Sequence, residues 1–187
     1  MSRLVGLSGS LRRGSFNTAL LKAATELMPQ GSELAAHDLH GIPLYDGDVE
    51  AIEGIPAPVA ALKDAIAASD GLLLATPEYN NGIPGVFKNA IDWLSRPSED
   101  IRRVFGGKPV ALIGASPGGF GTILSQNAWL PVLRTLGMDL WSGGRMYVSR
   151  APTVFTPDGI LADANTREQL RQYLLGFAAF ARAHSGD

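Results

Sequence analysis

Ser10, Arg12, Ser15 and Asn17 follow the short apolar run Leu4-Val5-Gly6-Leu7 within one loop. Three of them carry neutral hydrogen-bond donors and one carries a permanent cation. A helical pattern begins directly behind them, so they gather at a helix N-terminus. There the first N–H groups are unpaired and the helix dipole is positive. That combination suits a phosphate. Arg13 adds a neighbouring cation without an assigned contact.

Other phosphate loops do not fit. Gly9 and Gly14 have P-loop spacing, but Ser15-Phe16 stands where Lys and Ser/Thr are required. No G-x-G-x-x-G follows the strand, so the dinucleotide fingerprint is missing. What remains is a seat for a terminal monoester phosphate held by hydroxyls and Arg. The competing reading is a polar β–α turn with solvent-facing arginines.

Two further loops carry unusual chemistry. Pro77-Glu78-Tyr79-Asn80 offers a rigid aromatic face and an amide with both donor and acceptor, which suit a planar heterocycle. Glu78 has a second reading as a cap on a following turn. Ser116-Pro117-Gly118-Gly119-Phe120-Gly121 lets backbone N–H groups approach a ligand closely and stabilise charge developing on a ring. Its plain alternative is a glycine turn.

Other chemistries find little support. The chain has no Cys, which excludes disulfides, thiolate catalysis and iron–sulfur ligation. His37 and His40 lack the further ligands a metal needs and read as surface or strand-end residues. Ser116 sits in no nucleophile elbow, and no triad partners can be placed. The formal net charge of -2 argues against a nucleic-acid footprint. No apolar stretch approaches the ~20 residues of a membrane span, and no basic region precedes Leu4, so the expected setting is the cytoplasm. Trp93, Trp129 and Trp141 read as core or subunit contacts, and Lys88 with Asp92 as a solvated i,i+4 pair.

The elements that must position the three loops read in order from the periodicity. Strands are expected at Leu4–Leu7, Leu34–Leu39, Gly71–Thr76 and Pro109–Ala115. A last one spans Met138–Val148 and is interrupted at Gly143-Gly144. Helices are expected at Asn17–Met28, after Pro56 and Pro58, at Gly85–Leu94, after Thr122 to Leu136 with a kink at Pro131, and at Asn165–Ala183. The last begins with Asn165 and Glu168 as a capping box and leaves a frayed tail. Gly41–Asp46 and Arg96–Gly107 read as connections. Such alternation implies one domain over residues 1–187, with a parallel sheet covered by helices on both faces. In the doubly wound order 2-1-3-4-5 the three loops follow strands 1, 3 and 4 and open onto one edge.

G-S-L-R-x-x-S-x-N, P-E-Y-N and S-P-G-G-x-G in this order resemble the NADPH-dependent FMN reductase family, a flavodoxin-like group that includes soluble quinone and chromate reductases. The resemblance covers Leu4 to about Val148. It implies a five-stranded flavodoxin-like fold and non-covalent FMN. Ser10, Arg12, Ser15 and Asn17 would hold the phosphate. Pro77, Glu78, Tyr79 and Asn80 would line the ribityl and isoalloxazine, and Ser116, Gly118 and Gly119 would approach the ring. It further implies NADPH or NADH as donor and a homodimer or homotetramer. The expected activity is hydride transfer through flavin N5 to quinones, free flavin or oxidised metal ions such as chromate, in a ping-pong scheme. The cofactor carries the chemistry, so no catalytic side chain and no metal are assigned. The alternatives are a flavodoxin-type electron carrier and a flavin-free phosphate-binding domain.

Overall fold

The computed structural model describes residues Met1–His184. The elements run β1 (Ser2–Ser8), α1 (Phe16–Glu26), β2 (Ser32–His37), α2 (Gly47–Glu53), α3 (Ala57–Ala67), β3 (Gly71–Ala75) and α4 (Gly85–Leu94). They continue with α5 (Ile101–Val104), β4 (Pro109–Ala115), α6 (Ile123–Thr135), β5 (Asp139–Leu140), β6 (Met146–Val148), α7 (Ala151–Val154) and α8 (Ala164–His184).

All strand pairs are parallel, and the order is β2-β1-β3-β4-β5, as expected for a flavodoxin-like sheet. The last position is filled in two pieces. Asp139 and Leu140 pair with Pro109 and Val110, and Met146–Val148 pair with Ile113–Ala115. The break at residues 141–145 lets the chain step outward between them.

The central strands are apolar on both faces because both are covered. Leu4, Leu73, Ala111 and Ile113 pack against Leu20, Leu21 and Ala24 of α1 and Leu170, Leu174 and Phe177 of α8. The alternate positions Leu7, Leu72, Leu74 and Val110 meet Val59 and Ile66 of α3, Phe87 and Ile91 of α4, and Trp129 and Leu133 of α6. Trp93 and Trp129 are wholly buried. Trp141 is half-buried, edge-on to Tyr173 at 4.6 Å between ring centroids.

Several local expectations need correction. α8 is capped by Asp163, whose Oδ1 accepts both the N–H and the O–H of Thr166 at 2.7 Å. Glu168 bonds Gln172 and Arg171 instead, so Asn165 and Glu168 form no capping box. Of the tail expected to fray, Ala183 and His184 complete α8, and residues 185–187 lie outside the described residues. α2 and α5 are short helices of seven and four residues in stretches not expected to be helical. α6 continues through Pro131 to Thr135. Lys88 and Asp92 do pair, at 2.6 Å and half-exposed, and His40 faces Asp38 at 3.2 Å. Among the described residues no helix is long and apolar enough to cross a membrane, and no group of three or more His, Asp or Glu converges.

Candidate functional site

The loops after β1, β3 and β4 meet at the carboxyl edge of the sheet. They enclose a cleft of ≈ 180 Å³ lined by Ser10, Arg12, Ser15, Phe16, Asn17, Pro77, Glu78, Tyr79, Ala115, Ser116 and Pro117. Asn80, Gly118 and Gly119 stand outside that wall. Phe16, Ala115 and Pro117 line it without having been expected to. Their only signal in the sequence is that they adjoin the motif residues.

The first loop is built to leave a helix end open. Gly9 lies against the Phe87 ring so closely that a Cβ would overlap it. This presses the start of the loop onto α4. Ser15 is the N-cap of α1, and its Oγ accepts the Thr18 N–H at 3.3 Å. The N–H groups of Phe16 and Asn17, in the first turn, make no hydrogen bond among the described residues. Ser10 Oγ accepts the Arg12 N–H at 3.3 Å. Both hydroxyls therefore keep their own protons to donate. Arg12 Nη2 donates to the Gly14 carbonyl at 2.6 Å, and its guanidinium sits 5.8 Å from the Phe16 ring centroid. Arg12 is the one cation among the cleft's lining residues.

A second helix, α6, starts at the same edge and is closed differently. Its own N-cap, Thr122, makes no side-chain capping bond. The Glu78 carboxylate takes that place from the neighbouring loop. Its Oε2 accepts the N–H groups of Leu124 and Ser125 at 2.8 and 3.0 Å. One helix end at this edge is thus filled by a side-chain anion, and the other faces the cleft with donors free. An anion arriving from outside is drawn to the open one.

Asn17 does not offer its amide to the cleft. Its Nδ2 donates to the Ala115 carbonyl and its Oδ1 accepts the Ala115 N–H, both at 2.9 Å and buried. Ser116 is likewise engaged, donating to the Gly121 carbonyl at 2.6 Å. The Arg150 N–H donates to the Gly118 carbonyl at 2.8 Å, with Arg150 itself left-handed at φ 50. Asn80 and Asn81 also lie in the left-handed region, at φ 50 and 62, within a turn closed between Tyr79 and Gly82. Asn tolerates that conformation better than most residues. The turn leaves Tyr79 half-exposed at the mouth of the cleft.

The model of the NADPH-dependent FMN reductase family matches residues 2–153. The chain belongs to that family. Membership makes it an oxidoreductase with FMN and NAD(P)H as its cofactors. It is 42% identical over 184 residues to an NAD(P)H-dependent FMN reductase of Pseudomonas aeruginosa, covering 98% of this chain and 97% of that protein. It is 39% identical over 174 residues to a 2-hydroxy-1,4-benzoquinone reductase of a Burkholderia species, covering 93% of each. Among solved structures it superposes on FerB, a flavoenzyme NAD(P)H:(acceptor) oxidoreductase of Paracoccus denitrificans. The TM-score is 0.86 at 34% identity, over 98% of this chain and 99% of that one.

Proposed function

We propose that the protein holds FMN in the cleft after β1, β3 and β4 and passes reducing equivalents from NADPH or NADH to a small-molecule acceptor. The observation that carries this reading is the open N-terminus of α1, which faces a cleft furnished with two hydroxyls that keep their own protons to donate and one arginine. Ser10, Ser15, Arg12 and the N–H groups of Phe16 and Asn17 would hold the phosphate. Pro77, Tyr79 and Ser116 would flank the rest. When bound, the flavin supplies the hydride chemistry, which is why no protein acid or base is assigned. The chain's part is to bind and orient, with the buried apolar sheet edge excluding water from one side.

The acceptor class we favour is a quinone; free flavin and oxidised metal ions such as chromate belong to the same proposal. It also carries a ping-pong order, in which the nicotinamide leaves before the acceptor enters. Steady-state lines that stay parallel as the fixed substrate is varied support that order; intersecting lines contradict it. The reading extends to self-association as a dimer or tetramer and to a cytoplasmic setting. Purified protein mixed with FMN, then titrated anaerobically with NADPH and with NADH, tests both the cofactor and the donor. A protein that took up FMN but oxidised neither nucleotide would act as an electron carrier instead.

A further inference from the structure

The Glu78 carboxylate lines the cleft, yet its Oε2 is already occupied by two backbone N–H groups. The bonds are long-range, reaching 46 and 47 residues along the chain. They tie the loop after β3 to the first turn of α6, and so to the loop after β4, which runs directly into that helix. Both loops line the cleft beside the phosphate seat. α6 has no side-chain cap of its own and no acidic residue in its first turn. The carboxylate is therefore the only side chain closing that helix end among the described residues.

Behind it lies a second tie between the same elements. Thr76 Oγ1, at the end of β3, meets Ser125 Oγ at 2.9 Å and accepts the Trp129 Nε1–H at 3.0 Å. Thr76, Ser125 and Trp129 are all buried. The end of β3, the loop that follows it and the start of α6 are thus joined by two sets of hydrogen bonds.

From this geometry we infer that the Glu78 carboxylate is a positioning group, which sets the separation of the two loops that flank the flavin by closing the N-terminus of α6. The inference rests on the functional reading above. It accounts for a carboxylate standing in the wall of a site meant for an anionic ligand: the charge is spent on α6 and is not presented to the phosphate.

The test compares wild type, Glu78→Ala and Glu78→Gln by the fluorescence of FMN titrated with apoprotein. Glu78→Ala raises the FMN Kd about tenfold, the size of effect expected when a coupled wall is released. Glu78→Gln keeps a carbonyl oxygen for the same N–H groups and stays within about threefold of wild type. A purely structural role would lower the melting temperature with and without FMN alike. Positioning instead shrinks the increment that FMN adds. If Glu78→Ala does not fold, amide exchange in the wild type decides. FMN slows exchange at Leu124 and Ser125, and no change there overturns the inference. Equal losses in Glu78→Ala and Glu78→Gln overturn it too, because charge and not the tie would then matter. A wild type that takes up no FMN defeats the functional reading along with the inference. Wild-type binding with an unchanged Kd in Glu78→Ala defeats the inference alone.

Discussion

Asn17 and Ala115 are hydrogen-bonded to each other in both directions. The Asn17 amide satisfies the carbonyl and the N–H of one residue at the end of β4, each at 2.9 Å. The phosphate loop is thereby fastened across the sheet edge to the strand that feeds the glycine loop. Replacing the amide strands two buried backbone groups. Asn17→Ala should destabilise the apoprotein by about 1–3 kcal/mol in urea titration. Asn17→Asp keeps the acceptor but sets a second oxygen against the buried Ala115 carbonyl, so it should not recover the loss. If Asn17→Ala unfolds at the wild-type urea midpoint, the fastening contributes nothing.

On the proposed reading, Arg12, the one cation lining the cleft, pairs with the phosphate of FMN and with no other part of it. Arg12→Ala should weaken FMN by about 1.5–3 kcal/mol, the range for a charge-assisted bond. Riboflavin has no phosphate, so its affinity should hardly change. Calorimetric titration with both ligands checks this. Equal losses for the two would mean that Arg12 acts on the ring or on the fold.

Gly9 is the point where the loop leaves β1 and touches α4. A Cβ there overlaps the Phe87 ring. Gly9→Ala should cost about 1–3 kcal/mol of stability through overpacking. Adding Phe87→Leu should recover part of that loss, a non-additivity expected of side chains in contact. Simple addition of the two losses would place the strain elsewhere.

Away from the cleft, buried Lys63 pairs with Asp100 at 2.7 Å, and Arg103 reaches the same carboxylate at 2.6 Å. Hydrogen bonds from Arg103 first, and then from Lys63, hold the Asp100 carboxyl well below the usual carboxylate range. The unfolded chain therefore binds a proton at a higher pH than the folded one. The stabilisation is present above the unfolded pKa of about 4 and is lost as pH falls below it toward the folded value. Acid unfolding should thus steepen below about pH 4 in wild type and flatten in Asp100→Asn. FMN affinity at neutral pH should be unaltered by that substitution. A superimposable pH–stability curve for Asp100→Asn would rule the group out as a source of acid sensitivity.

What could be read from the sequence follows from the range of the interactions. That Ser10, Arg12 and Ser15 gather at a helix N-terminus could be read because their chemistry and their helix are local. A parallel sheet covered on both faces could be anticipated from the alternation of apolar runs, and its order from the flavodoxin-like resemblance. The partners of Asn17 and Glu78 could not be read, because they lie 98 and 46 residues away and are backbone groups of any residue type. Glu78 had a second reading as a cap on a following turn, and it does cap a helix, though the one that follows the neighbouring loop. The start of α8 was misplaced because Asp163 and Asn165 are both good caps. Asp163 takes the position where the chain leaves the short bridge between Phe155 and Leu161. α2 was illegible for a simpler reason: it is seven residues long and buries none of them, so its apolar positions are too few to declare a helical period.

The central claim is that the three-loop cleft binds FMN and delivers electrons from a nicotinamide. The most direct measurement is an anaerobic spectrophotometric titration of the FMN-reconstituted protein with NADPH. The account predicts one FMN per chain, bleached by one equivalent of nucleotide and restored by a quinone. Protein that retains no flavin after gel filtration, or bound flavin that stays oxidised with excess NADPH and NADH, would contradict it.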